Sequence, residues 1–197
     1  MQNNLSSDLS LKGKSATLEP LQAEHKNALL DAAADGELWN LKFTSVPNHE
    51  NIDHYIASAI EKREKGKELP FAVRRVADEK IIGSTRYYRI SPQNKSLSIG
   101  YTWLSASAQR TAINTECKYM LLTHAFDVLG CSAVMWHTHH DNIRSQAAIE
   151  RLGAKRDGIL RADMILDDGS IRDTHCFSML DAEWPAAKGI LKEHLNK

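Results

Sequence analysis

The chain lacks the features that define several classes of protein. None of its apolar runs approaches the roughly 20 residues that a membrane-spanning helix needs. Its first residues contain neither the basic nor the apolar stretch of a secretory signal peptide. Charge of one sign is not in excess, because 25 Lys and Arg balance 25 Asp and Glu. That balance gives no general attraction to nucleic acid or to an anionic membrane, so we expect neither as a partner.

Cysteine is scarce as well. Cys117, Cys131 and Cys176 are odd in number and lack Cys-x-x-Cys spacing. Each lies in an apolar context, which predicts buried free thiols rather than disulfides or zinc ligands. Free thiols and the missing signal peptide together indicate the cytoplasm.

What the chain does contain is typical of a globular protein. It has 197 residues, of which 42% are hydrophobic and 25% are charged, enough for one well-buried domain. No linker rich in Pro, Gly or Ser divides it. We therefore expect a single domain over residues 1–197.

Hydrophobic periodicity predicts an alternation of helices and strands. The predicted helices cover residues 21–35, 52–63, 113–129, 142–152 and 184–195; the predicted strands cover residues 9–18 (broken at Gly13), 71–76, 81–90, 97–103, 131–138, 155–166 and 171–180. The last two strands form a hairpin around a turn at 167–169. The strand–helix–strand order in the middle requires a parallel crossover. The expected fold class is therefore α+β (mixed α/β), with a mixed sheet and helices on both faces.

Two local features stand out within this order. The strand at 97–103 alternates most clearly, and Gly100 within it marks a bulge or a place where another backbone or a ligand approaches. Residues 39–47 form a loop with unusually large apolar side chains. That loop either caps the core or forms one wall of a substrate pocket.

Two strand–helix junctions are natural sites for the anionic groups of a ligand. At the first, a loop of small and polar residues leads from the strand into the helix at residue 113. Free backbone N–H groups and the helix dipole at such a point can bind a pyrophosphate. At the second, the helix of residues 142–152 begins at a capping residue, Asn142, and stops at Gly153.

Both junctions resemble the acetyl-CoA-binding core of the GNAT-type N-acetyltransferases. Residues 99–104 (Ile-Gly-Tyr-Thr-Trp-Leu) resemble the fourth strand of that fold. Residues 109–114 (Gln-Arg-Thr-Ala-Ile-Asn) resemble its pyrophosphate loop, Gln/Arg-x-x-Gly-x-Gly/Ala, with Ala112 and Asn114 as departures. Residues 142–153 (Asn-Ile-Arg-Ser-Gln-Ala-Ala-Ile-Glu-Arg-Leu-Gly) resemble its last core helix.

The C-terminal part resembles one branch of this family, the ribosomal-protein N-terminal acetyltransferases of the RimJ/RimL type. Residues 153–161 match the branch pattern Gly-Phe/Ala-x-x-Glu-Gly-x-x-Arg, and residues 172–185 match its ending Arg-Asp-Thr-x-x-Tyr/Phe-Ser-Ile/Met-Leu. The matches come in the order of the family and span nearly half of the chain.

The resemblance implies a GNAT fold with a mostly antiparallel sheet, acetyl-CoA as co-substrate, and no metal. It implies transfer of the acetyl group to a primary amine, on a protein N-terminus or a small molecule, by a monomer or homodimer. Backbone donors near residues 101–104 polarise the carbonyl in such a site. The implied cofactor-binding residues are Tyr101, Thr102, Trp103, Leu104, Gln109, Arg110, Thr111, Ala112, Ile113, Asn114, Thr115, Asn142 and Ser145.

The catalytic assignments follow from the same comparison. Many relatives carry a tyrosine seven residues after the asparagine, where it protonates the departing thiolate, and this chain has Ile149 there. Ser145 is the nearest replacement, and His139 is a candidate general base because histidine titrates near neutral pH. Asp163, Asp173 and His175 are further base candidates that the sequence does not rank.

Two other hypotheses remain open at this point. The departures at Ala112, Asn114 and Ile149 suit a non-catalytic CoA-binding or regulatory module on the same fold. The run His137-Thr-His-His-Asp141 suggests a metal-dependent hydrolase. Strand alternation places His137 and His139 on one face and His140 on the other, and no His-Glu-x-x-His pair accompanies them, so we expect no metal.

Overall fold

An open sheet of eight strands forms the centre of the computed structural model, which describes residues 5–41, 43, 45–166 and 168–196. The strands are β1 (Leu11–Lys12), β2 (Ala16–Pro20), β3 (Leu69–Arg75), β4 (Ile81–Ser91), β5 (Ser96–Leu104), β6 (Ala133–His139), β7 (Lys155–Ile165) and β8 (Ile171–Leu180). Their order across the sheet is β1-β2-β3-β4-β5-β6-β8-β7. Only β5 and β6 pair in parallel among the described strands, so the predicted mixed, mostly antiparallel sheet is confirmed.

Helices cover both faces of this sheet. They are α1 (Lys26–Ala34), α2 (Ile52–Glu64), α3 (Ile113–Thr123), α4 (Ile143–Arg151) and α5 (Trp184–Leu195). Along β3, Phe71 and Val73 enter the core beneath α3, α4 and α5, whereas Ala72 enters the core beneath α1 and α2. Because neighbouring strand residues point to opposite faces, these are two cores on the two sides of one sheet.

Several element boundaries differ from the prediction; β3, for example, covers Leu69–Arg75 rather than residues 71–76. The first helix begins at Lys26 rather than residue 21, because a 3-10 turn at Ala23–His25 precedes it and the Gln22 N–H donates to His25 Nδ1. The strand predicted from residue 131 begins at Ala133. The helix predicted over 113–129 ends at Thr123 and continues as a π-helical turn, His124–Val128. In this turn residues 124–126 are buried, and the Phe126 ring stacks on Trp184.

The start of α3 is tied to the hairpin between β1 and β2. The Glu116 carboxylate accepts the backbone N–H groups of Lys14, Ser15 and Ala16 at 2.7, 2.8 and 3.0 Å. Gly13 lies against the same carboxylate, and a Cβ there would stand 2.6 Å from its carbon. The break predicted at Gly13 is therefore a turn built around a buried anion from another element.

Two predicted segments fall partly on residues that the structure does not describe. These are residues 42 and 44 of the loop predicted at 39–47, and residue 167 of the turn predicted at 167–169.

Cys117 and Cys131 are buried free thiols as predicted, whereas Cys176 is only half-buried because it lies near the exposed edge strand β7. Within the described ranges, no helix combines the length and apolar character that a membrane crossing requires.

Candidate active site

The sheet is open between β5 and β6. Their parallel pairing is confined to residues 96–98 of β5 and 133–135 of β6. Beyond those residues β5 keeps only its pairing with β4, and β6 keeps only its pairing with β8. The strands therefore separate, and the facing backbone groups of residues 99–104 and 136–139 do not pair with each other.

A bulge in β5 lies at this opening. Tyr101 and Thr102 together oppose a single β4 residue, Thr85, and Tyr101 has a left-handed φ of 51°. A bulge leaves its extra residue outside the ladder, so its N–H becomes available to a ligand. Gly100 precedes the bulge beneath the Tyr88 ring, and a Cβ on it would stand 2.7 Å from Tyr88 Cε1. Gly100 thus adjoins a bulge, and the group that approaches it is the Tyr88 side chain rather than a backbone or a ligand.

The loop at the start of α3 has the conformation that alanine allows. The left-handed residue is Arg110, with φ of 60°, whereas Ala112 is right-handed with φ of −66°. Replacing glycine at position 112 therefore causes no backbone strain. In the described part of the chain, the N–H groups of Arg110, Thr111 and Ala112 have no partner, and those of the first helical turn have none within the helix.

The start of α4 adjoins this loop. Asn142 caps α4, since its side-chain oxygen accepts the Ser145 N–H at 3.0 Å. Arg144 donates to Gln109 Oε1 at 3.0 Å, and Gln109 Nε2 donates to the Leu104 carbonyl at 2.9 Å. The end of β5, the loop and α4, three segments distant in sequence, meet at one end of the opening.

Ser145, the candidate acid, and Ile149, at the position where many relatives carry a tyrosine, lie in different surroundings. Ser145 is half-buried in the first turn of α4, and its hydroxyl has no hydrogen-bond partner among the described residues. Ile149 is buried in the core beneath α4. Position 149 therefore contributes packing, while the serine hydroxyl is free to bind.

A lysine that the sequence analysis did not single out lies behind the bulge. Lys118 of α3 is buried, and its Nζ lies 2.5 Å from Thr102 Oγ1 and 3.4 Å from Thr85 Oγ1. Burial lowers the pKa of Lys118 to about 8. Helical spacing could have predicted that Lys118 is buried, because position 118 shares a face with the core residues Leu121, Leu122 and Ala125.

His139 lies on the other side of the opening. It is buried, contacts Phe43 at 4.8 Å between ring centroids, and stacks on His140 at 4.2 Å. Its Nδ1 accepts the Asp141 N–H at 3.0 Å, so the neutral ring carries its hydrogen on Nε2. Burial, followed by the neighbouring His140, lowers the pKa of His139. Phe43 therefore places part of the predicted 39–47 loop against the end of β6.

A second unpredicted group, His137 with Tyr88 and Arg89, lies on the same face. Tyr88 Oη is 3.0 Å from His137 Nδ1, and Arg89 donates to His137 Nε2 at 3.1 Å. Burial and then Arg89 lower the pKa of His137, and burial raises the pKa of Tyr88 to about 12. Both side chains are therefore uncharged near neutral pH.

The remaining base candidates are dispersed. An Asp173 carboxylate oxygen accepts the Ala162 N–H at 2.7 Å, which fixes an irregularity in β7. His175 Nδ1 lies 3.0 Å from Gln146 Oε1. Asp163 is exposed on β7. The structure does not bring these three side chains together at one point.

The structure groups the histidines of residues 137–140 differently from the way strand alternation predicted. His139, His140 and Asp141 place one ligand atom each within 4.8 Å of one another, and His137 is not part of this group. β6 ends at His139, so alternation no longer governs His140, whose ring folds back onto its neighbour. His139 Nδ1 accepts the Asp141 N–H and His140 Nδ1 accepts the Asp173 N–H, which leaves the two Nε2 atoms and the Asp141 carboxylate for a metal.

Comparisons with known proteins agree with this geometry. Residues 16–155 match the family model described as acetyltransferase (GNAT) domain. No curated protein matches the chain significantly. A GCN5-related N-acetyltransferase from Brucella melitensis is 31% identical over 94% of this chain and 85% of its own, with a TM-score of 0.84.

More distant solved structures share the fold. The microcin C7 self-immunity acetyltransferase MccE, in complex with acetyl-CoA and AMP, is 22% identical over 85% of this chain and 93% of its own, with a TM-score of 0.74. RimL, a ribosomal L7/L12 α-N-protein acetyltransferase, is 19% identical over 87% of this chain and 94% of its own, with a TM-score of 0.77. The chain belongs to the GNAT acetyltransferase family, whose members are acyltransferases that use acetyl-CoA as co-substrate.

Proposed function

We propose that the protein transfers the acetyl group of acetyl-CoA directly to a primary amine. The observation that carries this proposal is the opening between β5 and β6, bounded at one end by the loop before α3 and by α4. This arrangement offers unpaired backbone donors along a path from a helix N-terminus to a strand bulge. A long ligand with anionic groups at one end fits such a path.

The donors divide into three parts in this proposal. The free N–H groups of residues 110–112 and of Asn114 and Thr115 in the first turn of α3 bind the pyrophosphate, assisted by the helix dipole. The Asn142 side-chain amide, whose oxygen is engaged by the cap, donates its N–H groups to the pantetheine arm. The edge of β5 over residues 101–104 binds the thioester end, and the bulge N–H polarises its carbonyl.

The chemistry balances without a covalent enzyme intermediate. The neutral amine attacks the thioester carbon, a C–N bond forms, and the C–S bond breaks. The nitrogen loses a proton and the thiolate gains one. We assign the relay of that second proton to the Ser145 hydroxyl, which passes its proton to the thiolate and takes one back from water, and which faces no competing partner among the described residues.

Water serves as the base in this proposal. A protein N-terminal amine has a pKa of about 7.7–8.0, so a substantial fraction is already neutral near physiological pH. His139 carries its hydrogen on Nε2, which makes it a hydrogen-bond donor toward the acceptor. Its role as general base requires that hydrogen to move first, so we assign it to acceptor binding.

A protein N-terminus is the acceptor we propose to test first, with small-molecule amines second. The support is the resemblance of residues 153–161 and 172–185 to the ribosomal-protein branch, since identity with RimL is too low to indicate more than the fold. Free thiols at Cys117 and Cys131 suit a reducing compartment.

Calorimetry with acetyl-CoA, using ATP and NAD as controls, tests the cofactor, and a mass-spectrometric screen of peptides and polyamines tests the acceptor. Asn142→Asp should keep the cap oxygen and the stability but weaken acetyl-CoA binding, because it loses the amide donors. Asn142→Ala should lose both. Millimolar acetyl-CoA without binding would reject the proposal. Binding without turnover on any amine would favour the non-catalytic module.

A metal-dependent hydrolase remains testable by elemental analysis of the purified protein. Bound metal in stoichiometric amount, removed by His140→Ala, would support it. Protein free of metal that still acetylates an amine would exclude it.

A further inference from the structure

Lys118 carries a positive charge inside the protein with no anion beside it. Its side chain leaves α3 and ends between β4 and β5, where the neighbouring polar groups are the hydroxyls of Thr85 and Thr102. No carboxylate among the described residues pairs with it. The adjacent Glu116 carboxylate is occupied by the hairpin between β1 and β2.

The position of the two threonines gives this lysine a connection to the opening. Thr102 is one of the two bulge residues, and Thr85 is the β4 residue that opposes the bulge. Their hydroxyls lie 2.8 Å apart, so the two threonines satisfy each other without any cation. The two strands therefore do not need the Lys118 ammonium group for their hydrogen bonding. Removing this charged group from water costs free energy, and the requirements of folding do not explain that cost.

We propose that Lys118 is a positioning residue of the acetyl-CoA site, whose buried ammonium holds Thr102 and so directs the bulge N–H groups at the thioester carbonyl. The inference rests on the proposed function. It follows from three facts together: the contact with Thr102, the place of Thr102 in the bulge, and the place of the bulge beside the opening. The positive charge behind the strand also favours negative charge on the carbonyl oxygen.

The test uses acetyl-CoA labelled with ¹³C at the thioester carbonyl, observed by NMR while bound to the full chain. In the wild type the bound carbonyl should resonate downfield of the free ligand. Lys118→Met should lose most of that shift, while the dissociation constant changes less than threefold, because the pyrophosphate contacts remain. A lost carbonyl shift with a nearly unchanged dissociation constant distinguishes a positioning role from a structural one.

Two further variants keep the test informative if Lys118→Met folds poorly. Thr102→Val, which removes the acceptor, should lose the shift to the same degree, and Thr102→Ser, which keeps the hydroxyl, should retain it. In the double variant Lys118→Met/Thr102→Val the loss should not exceed that of either single change. Additive losses would contradict action through Thr102.

A pH profile separates charge from hydrogen bonding. From β4 and β5 only threonine hydroxyls face Lys118 within the described residues, and on its own helix Cys117 has a pKa raised to about 12 by burial. Because Lys118 is the group with a pKa of about 8, the wild-type shift should decrease between pH 7 and pH 9.5. Lys118→Gln, a neutral donor, should give a shift that does not change over this range.

The outcomes identify which proposal fails. If the wild type does not bind acetyl-CoA, the proposed function fails and this inference fails with it. If Lys118→Met binds acetyl-CoA with the wild-type carbonyl shift, only this inference fails. Weakened binding by more than tenfold with an unchanged shift would show a structural role and would also overturn it.

Discussion

Lys118→Met should make the protein more stable at neutral pH, although it removes a polar contact. Burial lowers the pKa of Lys118 from 10.5 to about 8. Since each pKa unit corresponds to about 1.4 kcal/mol, the folded state bears a cost of about 3 kcal/mol for holding this proton. Methionine has a similar length and no charge, so it removes that cost.

Lost hydrogen bonds offset part of the gain. The contacts with Thr102 and Thr85 contribute about 1 kcal/mol each at most, and the two threonine hydroxyls remain bonded to each other in the variant. We therefore expect a net stabilisation of about 1–2 kcal/mol at pH 7.

The pH dependence of the stability difference between the wild type and Lys118→Met is the stricter test. The unfolded chain keeps this proton up to pH 10.5, whereas the folded protein loses it near pH 8. The unfolded state thus binds more protons between these values, and the wild type gains stability as the pH rises. Relative to Lys118→Met, the free energy of unfolding of the wild type should increase by about 2.5 kcal/mol between pH 7 and pH 10.

Urea unfolding at pH 7 and pH 10 measures this difference, because groups common to both proteins cancel. Lys192→Met, at an exposed position of α5, is the matched control and should show the same difference from the wild type at both pH values. A difference for Lys118→Met that does not change with pH would refute the argument. So would a wild type that is the more stable protein at pH 7.

Three further predictions concern other parts of the site and its support. Glu116→Ala should lower the free energy of unfolding by about 3 kcal/mol or more, measured by urea, because it leaves three backbone N–H groups without their anion. Gly100→Ala should cost about 1–3 kcal/mol in thermal unfolding, since the new methyl group displaces the Tyr88 ring, and an unchanged melting temperature would contradict the close contact. Ser145→Ala should lower kcat at least tenfold and leave the acetyl-CoA dissociation constant within threefold, and unchanged turnover would reject its assignment as the acid.

The elements and the two strand–helix junctions were predictable because their causes are local. Asn142 caps α4 through a bond to a residue three positions later, and such a bond is visible as a pattern in the sequence. The period-two strand at 97–103 became β5, and the helix predicted over 113–129 became α3 and the π-helical turn that follows it. Gly100 signalled a bulge because a missing side chain has only a few structural uses.

The loop before α3 shows where local inference stops. The sequence identified the segment, but its backbone conformation depends on contacts that hold Gln109 to Leu104 and to Arg144. These contacts place the left-handed residue at Arg110 and leave Ala112 in a conformation open to any residue. The alanine at position 112, where the family pattern has a glycine, is therefore not evidence that the loop has lost its ligand.

The sequence alone determined which segments become helices and strands and where the two strand–helix junctions lie, because periodicity and capping act over a few residues. Only the tertiary structure decided that β5 and β6 separate after three pairs, that Lys118 reaches Thr102, and that His137 joins Tyr88 rather than His139. Strand pairing and side-chain contact of this kind join residues distant in the chain. Their energies depend on how all the elements pack at once, and no short pattern records that.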